Sequence, residues 1–104
     1  MRYKKMKVRQ LKNKNQFIIE SENEIVFQSY DSIIAKIDKT KTASDLTLGK
    51  NWDYSITTLK HLYLFFQDYY YITIYSKIEG SNNKKAEIQK MIDNGFIKYD
   101  KELI

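Results

Sequence analysis

The sequence contains no cysteine, no proline, one histidine and only three glycines among its 104 residues. Without cysteine the chain cannot form a disulfide, a thiolate zinc site or a cysteine nucleophile. A single histidine cannot supply two imidazole ligands to a metal within one chain. The three glycines are not clustered, which excludes a glycine-rich phosphate-binding loop. The carboxylates are scattered singly along the chain, so we expect neither a metal nor a cofactor.

Long apolar runs are also missing. No stretch approaches the roughly 18 apolar residues of a membrane-spanning helix, and the basic N-terminus lacks the apolar segment of a signal peptide. We therefore expect a cytoplasmic protein that does not bind membranes. The chain has no linker composition and no internal repeat. Its length predicts a single domain over residues 1–104, with residues 100–104 as a frayed tail.

Positive charge is concentrated at the N-terminus. Residues 1–14 carry seven basic side chains and no acidic one, whereas the other 90 residues carry 11 basic and 13 acidic side chains. Two explanations are open, since such an edge either attracts nucleic acid or protects an exposed strand against edge-to-edge pairing. In the first, exposed tyrosines would stack on bases. The residues of this alternative nucleic-acid site are Arg2, Lys4, Lys5, Lys7, Arg9 and Lys12.

The order of secondary structure predicts an α+β fold. Apolar and polar residues alternate along the first half of the chain with short turns between them, which favours an antiparallel β-meander. The predicted strands cover residues 4–11, 16–20, 24–29, 32–38 and 45–48. A main helix follows Ser55 and ends near Asp68, and the β-forming residues 71–75 predict another strand. A shorter helix is predicted over residues 84–94 and a last strand over 96–99. We expect four to six strands packed on the main helix.

The main helix carries more apolar surface than one buried face requires. A core-facing stripe is predicted from the spacing of Ile56, Leu59, Leu62, Tyr63, Phe66 and Tyr70. Either the remaining apolar residues are also core and His61 makes a structural hydrogen bond, or their face is an exposed interface for a partner or a second copy. The second explanation gives the hypothetical partner-binding residues Thr57, Thr58, Lys60, His61, Leu64 and Phe65.

Two further hypotheses concern the start of this helix: a catalytic site and an anion-binding site. Ser55 is a good N-cap, lies six residues from His61 and does not share its face. No glycine-rich oxyanion loop accompanies it. We therefore predict no catalytic residue and a protein that is not an enzyme. The hydroxyl groups of Ser55, Thr57 and Thr58, with Lys60 and free helical N–H groups, would suit a phosphate or carboxylate, and this alternative stays open.

One segment resembles a known group of proteins. Residues 52–65 read Trp-Asp-Tyr-Ser-Ile-Thr-Thr-Leu-Lys-His-Leu-Tyr-Leu-Phe and follow a Ser29-Tyr30 corner. This pattern resembles a family of small proteins of unknown function from phages and bacterial mobile elements, over roughly residues 17–66. The resemblance implies a host-takeover, anti-defence or regulatory protein that binds a host or phage protein. A homo-oligomer is a further expectation.

Overall fold

The structure is a computed structural model that describes residues 7–10, 15–41 and 45–103. A six-stranded sheet has the order β1-β2-β3-β4-β5-β6. Its first five strands form an antiparallel meander, and β6 pairs with β5 in parallel. The predicted α+β meander is confirmed. The strands are β1 (Lys7–Gln10), β2 (Gln16–Glu20), β3 (Glu24–Ser29), β4 (Ser32–Asp38), β5 (Asp45–Gly49) and β6 (Lys98–Asp100).

Four helical elements lie between β5 and β6: α1 (Ile56–Tyr69), the π-helical turn π1 (Tyr71–Tyr75), α2 (Ser76–Ile78) and α3 (Lys84–Asp93). In the described part of the chain, no helix has the length and apolar character needed to cross a membrane.

The core lies between one face of the sheet and the helices. Phe27 of β3 stacks on Phe65 of α1, with 5.8 Å between ring centroids. Trp52 in the loop before α1 and Ile97 before β6 belong to the same buried cluster. Gly49 ends β5 where the chain passes close to β4. A Cβ atom there would lie 2.5 Å from the carbonyl oxygen of Ile33. That position therefore requires glycine.

The prediction of a strand over residues 71–75 is wrong, because this segment continues the helical path. Tyr70, Ile74 and Ile78 are four residues apart and all buried, so a helical stripe packs on the core. The carbonyl oxygen of Tyr70 accepts hydrogen bonds from the N–H groups of Ile74 (3.0 Å) and Tyr75 (2.9 Å), which produces the π-helical turn. Burial of this stripe overrides the β propensity of the local sequence.

Helix α1 is also rotated relative to the predicted stripe. Leu62 and Phe66 are buried as expected, but Ile56 is 84% exposed and does not belong to the core. Phe65 is instead fully buried, because its ring fills the space above β3. An ion pair of 2.8 Å between Arg9 of β1 and Asp68 joins the end of this helix to the sheet edge.

The C-terminal elements differ from expectation by one or two residues. α3 ends at Asp93 and is followed by Gly95 at φ 84°, a left-handed conformation that glycine adopts without strain. The last strand covers residues 98–100 instead of 96–99, so Asp100 of the predicted tail is paired with Gly49. The N–H of Leu103 donates to the carbonyl oxygen of Asp100 at 3.2 Å.

Candidate binding site

A cavity of about 530 Å³ lies at one end of the sheet, where the β3–β4 turn meets the first turn of α1. Three chain segments form it: the turn with its flanking strand ends, the loop after β5, and the start of α1. Most of the lining side chains carry a hydroxyl, amide or carboxylate group. The lining residues are Ser29, Tyr30, Asp31, Ser32, Ile34, Asn51, Tyr54, Ser55, Thr57 and Thr58.

The β3–β4 turn holds a tyrosine in a strained conformation. Ser29 and Ser32 are paired, so Tyr30 and Asp31 form a two-residue hairpin loop. Tyr30 has φ 53°, which costs a bulky residue about 1–3 kcal/mol. Its N–H donates to the carbonyl oxygen of Asn15, and its own carbonyl oxygen accepts from Gln28 Nε2, both at 2.8 Å. These bonds hold the turn, and the side chain of Tyr30 is left 57% exposed.

The start of α1 forms the opposite wall. Ser55 Oγ accepts a hydrogen bond from the N–H of Thr58 and donates one to Thr58 Oγ1, both at 3.1 Å, which confirms Ser55 as the N-cap. Asn51 Nδ2 donates to Ser32 Oγ at 3.0 Å and links the loop to β4. Tyr54 precedes the cap and is 78% exposed at the edge of the cavity.

Among the described residues, Asp31 is the one charged residue in the lining. It is exposed, and no described residue forms an ion pair or hydrogen bond with its carboxylate. The lysines nearest to the lining in sequence, Lys36, Lys50 and Lys60, do not line the cavity. A carboxylate in this space weakens the anion-binding alternative, because it repels a phosphate or carboxylate ligand.

Four polar side chains are buried in the described part of the chain, and two of them, Ser29 and Thr58, line the cavity. The four are Gln16, Ser29, Thr58 and His61. Gln16 is the cross-strand partner of Ser29, which places both on the same face of the sheet. Among the described residues, neither Nε2 nor Oε1 of Gln16 has a hydrogen-bond partner, although both atoms are buried.

The structure separates the six residues of the predicted partner surface. Thr57 and Lys60 are exposed, and Leu64 is half-buried. The other three, Thr58, His61 and Phe65, are buried. Of the six, the cavity includes Thr57 and Thr58.

The alternatives left open for His61 and Phe65 are resolved by their contacts. Nδ1 of His61 lies 2.8 Å from the carbonyl oxygen of Thr57, one helical turn earlier, so the ring makes a structural hydrogen bond there. Phe65 is part of the core cluster. Neither side chain is available to a partner at the surface.

Sequence reasoning missed the exposed residues around the cavity. Tyr30 and Asp31 occupy a two-residue turn in which Asn-Gly is usual, and a tyrosine there is a signal that something other than turn formation selects it. Tyr54 lies directly before a helix cap and outside the helical stripe. No pattern in the sequence indicates that these residues meet, because that depends on the packing of α1 over β3 and β4.

The basic N-terminal segment is described only in part. Lys7 and Arg9 lie on β1, an edge strand whose four residues are all exposed. Arg9 forms the ion pair with Asp68, and its guanidinium carbon lies 6.0 Å from the ring centroid of Tyr69. These contacts occupy the Arg9 side chain at the sheet edge. The other residues of the alternative nucleic-acid site lie outside the described residues: Arg2, Lys4, Lys5 and Lys12.

Two acidic side chains near the ends of α1 form ion pairs with basic side chains. Asp68 pairs with Arg9, and Asp53 pairs with Lys85 at 3.4 Å. His61 itself does not line the cavity. Within the described ranges, no three acidic or histidine side chains are placed to hold a metal ion together.

Comparison with known proteins places the chain in a family. Residues 3–94 match the model of a family described as a family of unknown function (DUF8033), and this range includes every residue that lines the cavity. No curated protein and no solved structure matches the chain significantly. Since the matched range covers most of its 104 residues, the chain belongs to this family of unknown function.

Proposed function

We propose that the protein is a non-enzymatic binding protein, and that it contacts another protein through the rim of the cavity. The rim is defined here as Tyr30, Tyr54 and Ile56, of which the first two line the cavity and the third follows the cap of α1. The observation that carries the proposal is the exposure of all three large side chains around one cavity. Aromatic residues around a pocket are typical of the energetic centres of protein interfaces.

The energetics of the rim support an interface. A fully buried Ile contributes about 1.5–3 kcal/mol relative to an exposed one, and Ile56 does not obtain this contribution within the monomer. Tyr54 and Tyr30 likewise leave most of their apolar surface in water. The strained backbone of Tyr30 is further support for an interface here, because such strain persists mainly where function selects it. A partner that covers the rim would recover part of this free energy.

The biological setting is part of the same proposal. The resemblance of residues 17–66 to small phage and mobile-element proteins supports a cytoplasmic protein that binds a host or phage factor in takeover, anti-defence or regulation. Binding between two copies of the chain is a second way to cover the rim. It is distinguished by the molar mass of the purified protein in solution.

Capture of a partner from lysate of the natural host tests the rim. We expect the double variant Tyr54→Ser, Ile56→Ser to lose the protein that the wild type retains. Ile72→Ser provides a matched control, because Ile72 is 81% exposed and lies far along the helical segment from Ile56. Circular dichroism checks that both variants are folded. Equal capture by the wild type and the double variant would refute the rim as the interface.

A further inference from the structure

We infer, on the basis of the interface proposed above, that the partner inserts an arginine side chain into the cavity against Asp31. The inference starts from charge. Of the described residues, Asp31 supplies the one charged group in the lining, and no described side chain neutralises it. A cation supplied by the partner completes the site.

The first turn of α1 contributes the opposing charge. A helix N-terminus is equivalent to about +0.5 elementary charge, which is smaller than the full negative charge of Asp31. The Ser55 cap already accepts from the N–H of Thr58, one of the donors that carry this partial charge. The described lining of the cavity is therefore negative on balance, and this favours a cationic group over an anionic one.

The rim and the hydroxyl groups favour arginine over lysine. Tyr30 and Tyr54 offer two exposed aromatic rings at the mouth, on which a planar guanidinium stacks. A guanidinium has five N–H donors, and the cavity supplies acceptors from Asp31, from hydroxyl oxygens and from an amide oxygen. Asn51 Nδ2 donates a hydrogen bond to Ser32 Oγ, so the Oδ1 of the same amide remains available as an acceptor. A lysine ammonium has three donors and no planar face.

Titration of the ¹⁵N-labelled protein with N-acetyl-arginine amide tests the inference. We expect shifts of the backbone amide signals of Tyr30, Asp31 and Thr57, with a dissociation constant of about 1–10 mM for so small a probe. N-acetyl-citrulline amide has nearly the same shape without the charge, and it should bind at least tenfold more weakly. N-acetyl-glutamate amide, the anionic probe, should leave these signals unchanged.

A matched pair of variants isolates the carboxylate. Asp31→Asn keeps a residue that suits the two-residue turn, and we expect it to lower the affinity for N-acetyl-arginine amide at least tenfold. Asp93→Asn removes an exposed carboxylate from the end of α3 and should leave the affinity unchanged. Equal binding of the citrulline probe, shifts caused by the glutamate probe, unchanged affinity in Asp31→Asn, or no shift with arginine would each overturn the inference.

The partner-capture experiment described above distinguishes the arginine inference from the proposed interface. If Asp31→Asn retains the partner while Tyr54→Ser, Ile56→Ser loses it, the rim is an interface and the arginine assignment fails. If both variants lose the partner, both proposals are supported. Retention by both variants overturns the interface and the arginine together.

Discussion

Replacing Phe65 by alanine tests how α1 is rotated about its own axis. The ring is fully buried and lies 5.8 Å from Phe27, 6.2 Å from Phe66 and 5.1 Å from Tyr69, measured between centroids. Truncating a buried Phe to Ala costs about 3–5 kcal/mol through lost transfer free energy and the cavity left behind. Three aromatic neighbours place the expected loss in the upper half of that range. A domain of this size has about 5–15 kcal/mol in total, so Phe65→Ala should be severely destabilised.

Ile56→Ala is the matched control on the same helix. The side chain is 84% exposed, so we expect a change within about 0.5 kcal/mol. Urea unfolding followed by fluorescence gives both values, because Trp52 is the one tryptophan of the chain and is buried. With a slope of about 1–3 kcal/mol per molar urea, Phe65→Ala should lower the midpoint by about 2 M.

The reverse pattern would refute this orientation of α1. If Ile56→Ala destabilised the protein as much as Phe65→Ala, Ile56 would belong to the core stripe, as the sequence alone predicts. A loss below about 1 kcal/mol for Phe65→Ala would place its ring at the surface, since buried truncations exceed that value. The rim would then be defined by the wrong residues.

Variants at three further sites, two of them with a comparison variant, test local features. Gly49→Ala should lower the free energy of unfolding by about 1–3 kcal/mol, because its Cβ would meet a backbone carbonyl oxygen of β4. Gly80→Ala should not be destabilised, because nothing lies within 4 Å of its added Cβ. Thermal unfolding measures both. Ser55→Ala should cost about 1 kcal/mol through loss of the cap, and Ser55→Asp should restore most of it. Hydrogen bonds from the Thr40 side chain and backbone lower the pKa of Asp38 below 3.8. The resulting stabilisation is present above pH 3.8 and is lost as the pH falls through the lowered pKa. Thr40→Ala should raise this pKa in an NMR titration, and an unchanged value would contradict the assignment.

The meander was predictable because its determinants are local. Alternating side chains and short polar turns define each of the strands β2 to β5, and neighbouring strands pair without long connections. The helix after Ser55 was predictable for the same reason, since its cap and its first turn are contiguous in sequence. Parallel pairing of β6 was not predictable, because it depends on where the intervening helices deliver the chain.

The errors share a physical cause. Tyr71–Tyr75 has strong local β propensity, but its hydrogen bonds to the Tyr70 carbonyl oxygen and the burial of Ile74 place it in the helical path. In α1 the apolar residues cover more than half of the circumference, so spacing alone does not decide whether Ile56 or Phe65 faces the sheet. In both segments tertiary packing selects among conformations that the local sequence permits.

The candidate site was predictable on one side only. Ser55, Thr57 and Thr58 follow from the helix start, and they form one wall of the cavity. The other wall comes from the β3–β4 turn, and no local pattern links Tyr30 and Asp31 to a helix that begins some twenty-five residues later. Sites built from separate segments require the fold before they can be located.

The parallel pairing of β5 with β6 has a consequence for synthesis of the chain. β1 to β5 join through neighbouring hairpins, so they can form as the chain leaves the ribosome, whereas β6 is made only after all of the helices. Until then the outer edge of β5 has unpaired backbone groups, which are a template for association with other chains. We expect the nascent protein to be most prone to aggregation in this interval, and the arrival of Lys98–Asp100 to end it.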